Sequence, residues 1–202
     1  MTRGPRKALC VIVLAAGLAS CALAPATDPP VTSALLDQMP SQVPQRSAGG
    51  STLLVVPPEA RPAIDTPQMA YSLRPHHLAY YAQNQWAETP PQMLQTLVVR
   101  TLEATGAFRA VVTSPHTGAY ALGLRTEITE LVQDFAQEPP TVRLSLRVRL
   151  SDGIASRVLA TREITVKQPM QQKNPQAGVA AANAAMASAL RQLAGFVLES
   201  SP

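Results

Sequence analysis

Cysteine is nearly missing from this chain: its 202 residues hold two, Cys10 and Cys21. Cys10 lies in an apolar leader that is expected to be cut away, which leaves Cys21 without a partner and excludes a disulfide within the mature chain. Aromatic residues make up only 4%, and three histidines complete a thin supply of metal-binding and redox side chains. His76 and His77 are adjacent, and neighbours in an extended segment point to opposite faces, so they do not easily share one metal. A site including His116 would need carboxylates that no motif assigns to it, and no metal or other cofactor is expected.

Catalytic signatures are missing too. There is no G-x-S-x-G nucleophile turn, no Walker A sequence and no dinucleotide glycine fingerprint. Gly49-Gly50-Ser51 lacks the flanking strand and helix that such turns need. Carboxylate pairs occur only as Glu127 with Glu130 and Asp134 with Glu138, and the first pair straddles opposite faces of a regular strand. These absences point to a protein that is not an enzyme. Charge of one sign is scarce as well. The precursor has 17 basic and 13 acidic side chains, but Arg3, Arg6 and Lys7 belong to the leader, so the mature balance is 14 against 13. A net charge near +1 carries no electrostatic footprint for nucleic acid.

One long apolar run is present. "ALCVIVLAAGL", residues 8–18, follows the basic "MTRGPRK". Eleven residues fall short of the roughly 20 that cross a bilayer as a helix, and fit the apolar core of a signal peptide covering residues 1–20. "LASC", residues 18–21, resembles a bacterial lipobox, in which cleavage falls just before the cysteine. The resemblance implies that Cys21 becomes the first mature residue and carries a diacylglyceryl group and a further acyl chain. Single acyl chains bind membranes marginally, and two or three hold firmly. The next residue is Ala22 rather than the aspartate that marks inner-membrane retention in enteric-type bacteria, which implies outer-membrane sorting.

Residues 21–50 hold five prolines and end in Gly49-Gly50 without a sustained apolar period. They read as a tether of about 30 Å r.m.s. span, with a helical turn at "SALLDQM" and packing along the domain left open. Residues 51–202 are long enough for one domain with its own core.

Within that domain "TLLVVPP" reads as a buried strand ended by prolines. Residues 69–74 and 77–83 form two extended pieces broken near Pro75, the pattern of a hairpin. Thr89 offers a helix cap with Pro90 behind it, and Met93, Leu94, Leu97, Val98 and Leu102 share one face until Gly106. Residues 108–113 form a strand. Residues 119–135 alternate until the phase slips near Leu131, where a bulge fits. "TVRLSLRVRL" alternates cleanly, with Val142, Leu144, Leu146, Val148 and Leu150 inward and Arg143, Ser145, Arg147 and Arg149 outward. Asp152-Gly153 turns it into a strand over residues 157–167. Asn174 and Pro175 start a long Ala-rich helix whose Asn183 lies on the packed face and needs a partner. The expectation is an α+β single domain, an antiparallel sheet with two main helices packed on one face.

Two surfaces can carry recognition. The row Arg143, Arg147 and Arg149 reads either as a solvated face ion-paired to Glu127 or Glu163 or as a contact for a partner or lipid headgroups. The cluster Tyr71, Tyr80, Tyr81 and Trp86 reads either as core packing or as a docking surface.

The order of lipobox, Pro-rich segment, "LLVVPP", the tract "QMAYSLRPHHLAYYAQNQWAETPPQML", helix, strand meander and closing helix resembles the ABC-type transport auxiliary lipoproteins, the PqiC-like family. "QWAE" is its most specific part. The resemblance implies a periplasmic docking subunit, anchored in the outer membrane through Cys21. Its implied partners are an MCE-domain protein with a permease and an ATPase, in a system moving phospholipid or other lipids between the two membranes. Direct phospholipid binding by this chain stays open. Alternatives are an outer-membrane assembly scaffold and a stand-alone periplasmic lipid-binding carrier.

Overall fold

A computed structural model describes residues 30–47 and 49–202. The signal-peptide reading and the lipidation of Cys21 fall outside the described residues. The strands are β1 (Thr32–Ala34), β2 (Thr52–Val55), β3 (Glu59–Ala60), β4 (Gln68–Ser72), β5 (Ala79–Trp86), β6 (Ala110–Thr113), β7 (Leu122–Asp134), β8 (Thr141–Asp152) and β9 (Arg157–Pro169). Two helices join them, α1 (Pro90–Glu103) and α2 (Pro175–Ser200). No helix among the described residues is long and apolar enough to cross a membrane.

Strand β7 organises the sheet. One of its edges pairs antiparallel with β8, and β8 in turn with β9. Its other edge is shared by three short strands in succession, β2 opposite Leu122–Leu124, β3 opposite Glu127–Ile128 and β4 opposite Gln133–Asp134, all parallel to it. Pro57 and Pro58 supply no N–H to the ladder and break this run after β2. The β4–β5 pair is an antiparallel hairpin, and β6 lies parallel to β2. The fold is therefore α+β as expected, with a mixed rather than wholly antiparallel sheet. Period-two patterning reports which face of a strand is wet and not the direction of its neighbour.

Both helices lie on one face. Thr89 precedes α1, and the Gln92 side-chain oxygen accepts from the Thr89 N–H at 3.0 Å, holding the first turn closed. Asn174 caps α2, its side-chain oxygen accepting from the Ala177 N–H at 2.8 Å. The buried row Val142, Leu144, Leu146, Val148 and Leu150 of β8 meets Met186, Leu190, Leu193 and Val197 of α2. Burying each such side chain is worth about 1.5–3 kcal/mol. Small residues let α2 approach closely: a β-carbon on Gly178 would collide with the Gln133 side chain. At the edge, Arg162 lays its guanidinium 4.8 Å from the Phe196 ring centre and reaches Glu199 at 3.1 Å.

The compact unit takes in the chain from Val31 to Pro202, so the segment ahead of Ser51 packs along the domain. Strand β1 pairs parallel with the end of β5, Thr32 opposite Asn84. The chain then crosses the helices as a strap. Leu36 is buried, and its N–H points to the Met93 sulfur at 3.3 Å. The Asn183 side-chain oxygen accepts from the N–H groups of Asp37 and Gln38 at 2.9 and 3.1 Å, and its amide nitrogen donates to the Leu35 carbonyl at 2.9 Å. Asn183 thus finds its expected partner in the segment that composition assigns to a tether. Further on, the Arg46 and Gly49 N–H groups donate to the Thr105 and Ala107 carbonyls just beyond α1.

Candidate functional site

The sheet face away from the helices is open, and its charge pattern follows from the β7–β8–β9 register. Before the bulge the outward side chains of β7 are Arg125 and Glu127. The register shifts between Ile128 and Glu130, so beyond it Glu130, Val132 and Asp134 face outward. The shift falls two residues ahead of the expected slip near Leu131. Its effect is to bring Glu130 and Asp134 to either side of Arg143, which stands opposite Val132.

Arg143 is consequently clamped. Its Nε donates to Glu130 at 2.7 Å, and its Nη1 bonds the Asp134 carboxylate, which is only 3% exposed. Arg147 meets Glu127 at 2.9 Å, the pair expected from sequence. Arg149 has no acidic side chain within 4.0 Å among the described residues, and stands directly opposite Arg125 across the ladder. Like charges facing one another across a sheet destabilise it. Arg125 leans to the exposed Glu59 at 4.0 Å, and Glu59 itself faces Glu127. These side chains surround a hollow of about 220 Å³ walled by Pro57, Glu59, Arg125, Glu127, Arg147 and Arg149.

Sequence patterning singles out the arginine row but not Arg125 or Glu59. Arg125 shows the same outward alternation as Arg149. What the sequence hides is the register that sets the two face to face and the parallel pairing that adds Glu59.

The structure divides the aromatic cluster. Trp86 is 3% exposed and belongs to the core, so it forms no part of a docking surface: it ends β5 and lies in the same buried apolar cluster as Leu36 and Met69. Tyr71 and Tyr81 are half-buried with ring centres 4.6 Å apart, and Phe135 meets Tyr71 edge-on at 6.3 Å. The Tyr81 hydroxyl donates to the Gln133 side-chain oxygen at 2.9 Å, and the Tyr80 hydroxyl to the Ala63 carbonyl at 3.0 Å.

Burial pushes the Tyr81 phenol from its ordinary 10.0 up to about 12, and the neighbouring Tyr71 adds to the shift. A pKa raised by folding contributes stability that is complete below the unfolded value and is lost as pH climbs through the folded one. The melting temperature is therefore expected to fall between pH 10 and pH 12, and to fall less steeply in Tyr81→Phe. Thermal melts of both proteins across that range check it, and equal alkaline slopes would rule the assignment out.

Solved structures place this architecture. Protein XCC0632 from Xanthomonas campestris, of the DUF330 family, is 27% identical, with a TM-score of 0.71 over 84% of this chain and 93% of that one. The hypothetical protein CT253 from Chlamydia trachomatis shares the fold at 11% identity and a TM-score of 0.54, over 75% of this chain and 98% of that one. Among curated protein sequences none matches. The class these likenesses define is an α+β domain with a helix-covered face and an open one. Residues 34–194 match the model of the ABC-type transport auxiliary lipoprotein component, and the chain belongs to that family. It is thus a lipoprotein-family auxiliary component of a transport system of the cell envelope.

Proposed function

We propose that the protein is a non-enzymatic docking subunit of an MCE-type ABC lipid transport system, anchored by acylated Cys21 at the periplasmic face of the outer membrane. On this reading the MCE-domain partner arrives from the inner-membrane side, where permease and ATPase supply the energy, and phospholipid is the cargo. Family membership supports the transport role. The observation that carries docking is the Arg125–Arg149 pair. Arg149 has no carboxylate partner among the described residues and stands opposite Arg125, whose pair to the exposed Glu59 is 4.0 Å long, so an acidic segment of a partner would offset the excess of positive charge there. The site is a shallow open hollow, suited to a polypeptide side chain rather than to an enclosed small molecule.

Arg149→Glu is expected to weaken capture of the MCE-domain protein at least tenfold, about 1.4 kcal/mol, without lowering the melting temperature. Affinity capture from detergent-solubilised envelopes measures it. Unchanged capture would remove this face from the docking surface, and failure of the unaltered protein to retain any MCE-domain protein would remove that partner.

A further inference from the structure

The loop joining β4 to β5 forms an exposed tip at one end of the sheet, where Pro75, His76, His77 and Leu78 border a hollow shared with Val132, Asp134 and Arg143. Leu73 and Leu78 flank it at 67% and 42% exposure, and between them Arg74, Pro75, His76 and His77 are all exposed. No acidic residue occurs from residue 66 to residue 87. Exposed leucines beside an arginine and two polar imidazoles suit an interface between water and anionic lipid, where apolar groups enter the acyl boundary and the guanidinium stays at the headgroups.

The chain enters the domain from this same end. Strand β1 runs parallel to β5, so Val31 sits beside Gln83, four residues or about 13 Å along β5 from its start at the tip. Cys21 is ten residues before Val31, and ten extended residues reach no farther than about 36 Å. An acyl anchor there holds the tip close to the bilayer. The hairpin between β8 and β9, with Ile154 at 86% exposure, lies at the opposite end of β7, about 40 Å away at strand rise.

We infer that the β4–β5 tip, through Leu73, Arg74, His77 and Leu78, is a membrane-contact element that seats the domain on a phospholipid surface. This rests on the anchor reading of Cys21. Docked so, the domain directs the β8–β9 hairpin away from the membrane toward the periplasm.

The test uses the full chain, expressed with acylation and carrying either Leu78→Cys or Ile154→Cys labelled with bimane. Each is reconstituted in vesicles of phosphatidylethanolamine and phosphatidylglycerol, with and without headgroup-nitroxide lipid. Expected is a blue-shifted Leu78 probe quenched at least threefold more than the Ile154 probe. Leu73→Ser with Arg74→Ser should abolish that difference while the protein still floats with the vesicles. Intact mass reports the acyl chains. A protein without them overturns the anchor reading and this inference together, whereas an acylated protein whose two probes are quenched alike overturns the inference alone.

Discussion

Asn183→Ala is expected to destabilise the domain by about 3 kcal/mol and to free residues 35–38 for hydrogen exchange. Its side chain is the clamp between α2 and the strap: three bonds of 2.9–3.1 Å tie it to backbone groups about 146 residues away in sequence. Truncation strands two N–H donors and one carbonyl that are part-buried, each costing toward the lower end of the about 1–3 kcal/mol of a fully buried unsatisfied group. The total stays below the sum because the strap can lift and rehydrate. For a domain of this size the shift in melting temperature is about 6–12 °C. Asn183→Asp provides the contrast: it still accepts from Asp37 and Gln38 but offers the Leu35 carbonyl no donor, so its loss should be intermediate. Denaturant melts and exchange at the Asp37 and Gln38 amides measure both variants. A change under about 0.5 kcal/mol with those amides still protected would show that the strap is held elsewhere.

Arg143→Ala is expected to cost about 2–3 kcal/mol, against less than about 1 kcal/mol for Arg147→Ala. The two arginines look equivalent in sequence, four residues apart on one face. They differ in what they leave behind. Without Arg143 the Asp134 carboxylate, 3% exposed, keeps among the described residues only the Ala136 N–H at 2.9 Å, and breaking a buried pair from one side costs about 3–5 kcal/mol. The lower figure here reflects Arg143 itself, which is 29% exposed and partly screened. Arg147 and Glu127 both reach water, where such pairs contribute little. Adding Asp134→Asn to Arg143→Ala should restore roughly half the loss, because the stranded charge goes with it. Equal costs for Arg143 and Arg147 in denaturant melts would contradict the clamp.

Local features were the readable part of this fold. Thr89-Pro90 and Asn174-Pro175 announce both helix starts, the alternation from Val142 to Leu150 marks β8, and the slipped phase of β7 marks its bulge. Each depends on residues close in sequence. The mixed sheet was not readable, because β2, β3 and β4 line up along β7 through pairings separated by up to about seventy residues, and parallel direction leaves no mark on a short apolar run. The strap escaped for a related reason. Between Val31 and Gly50 Leu36 is the single buried apolar side chain among the described residues, and the segment is held mainly by backbone groups that composition does not distinguish from those of a tether. At the candidate site the outward arginines are evident in sequence. Which of them is clamped and which is left facing another arginine depends on the one-residue shift at Ile128, and that is settled only when β7 and β8 are aligned.

The parallel pairing of β1 with β5 also decides how the domain meets a mechanical load. A pull on the chain ahead of Val31 acts along the strand axis, so the bonds linking Thr32–Ala34 to Asn84–Trp86 are sheared together and not unzipped one after another. Behind them the Asn183 clamp receives whatever force passes Leu36. On the proposed acyl anchor at Cys21, this pairing would pass tension straight into the sheet, and the domain would keep its shape while its point of suspension moves.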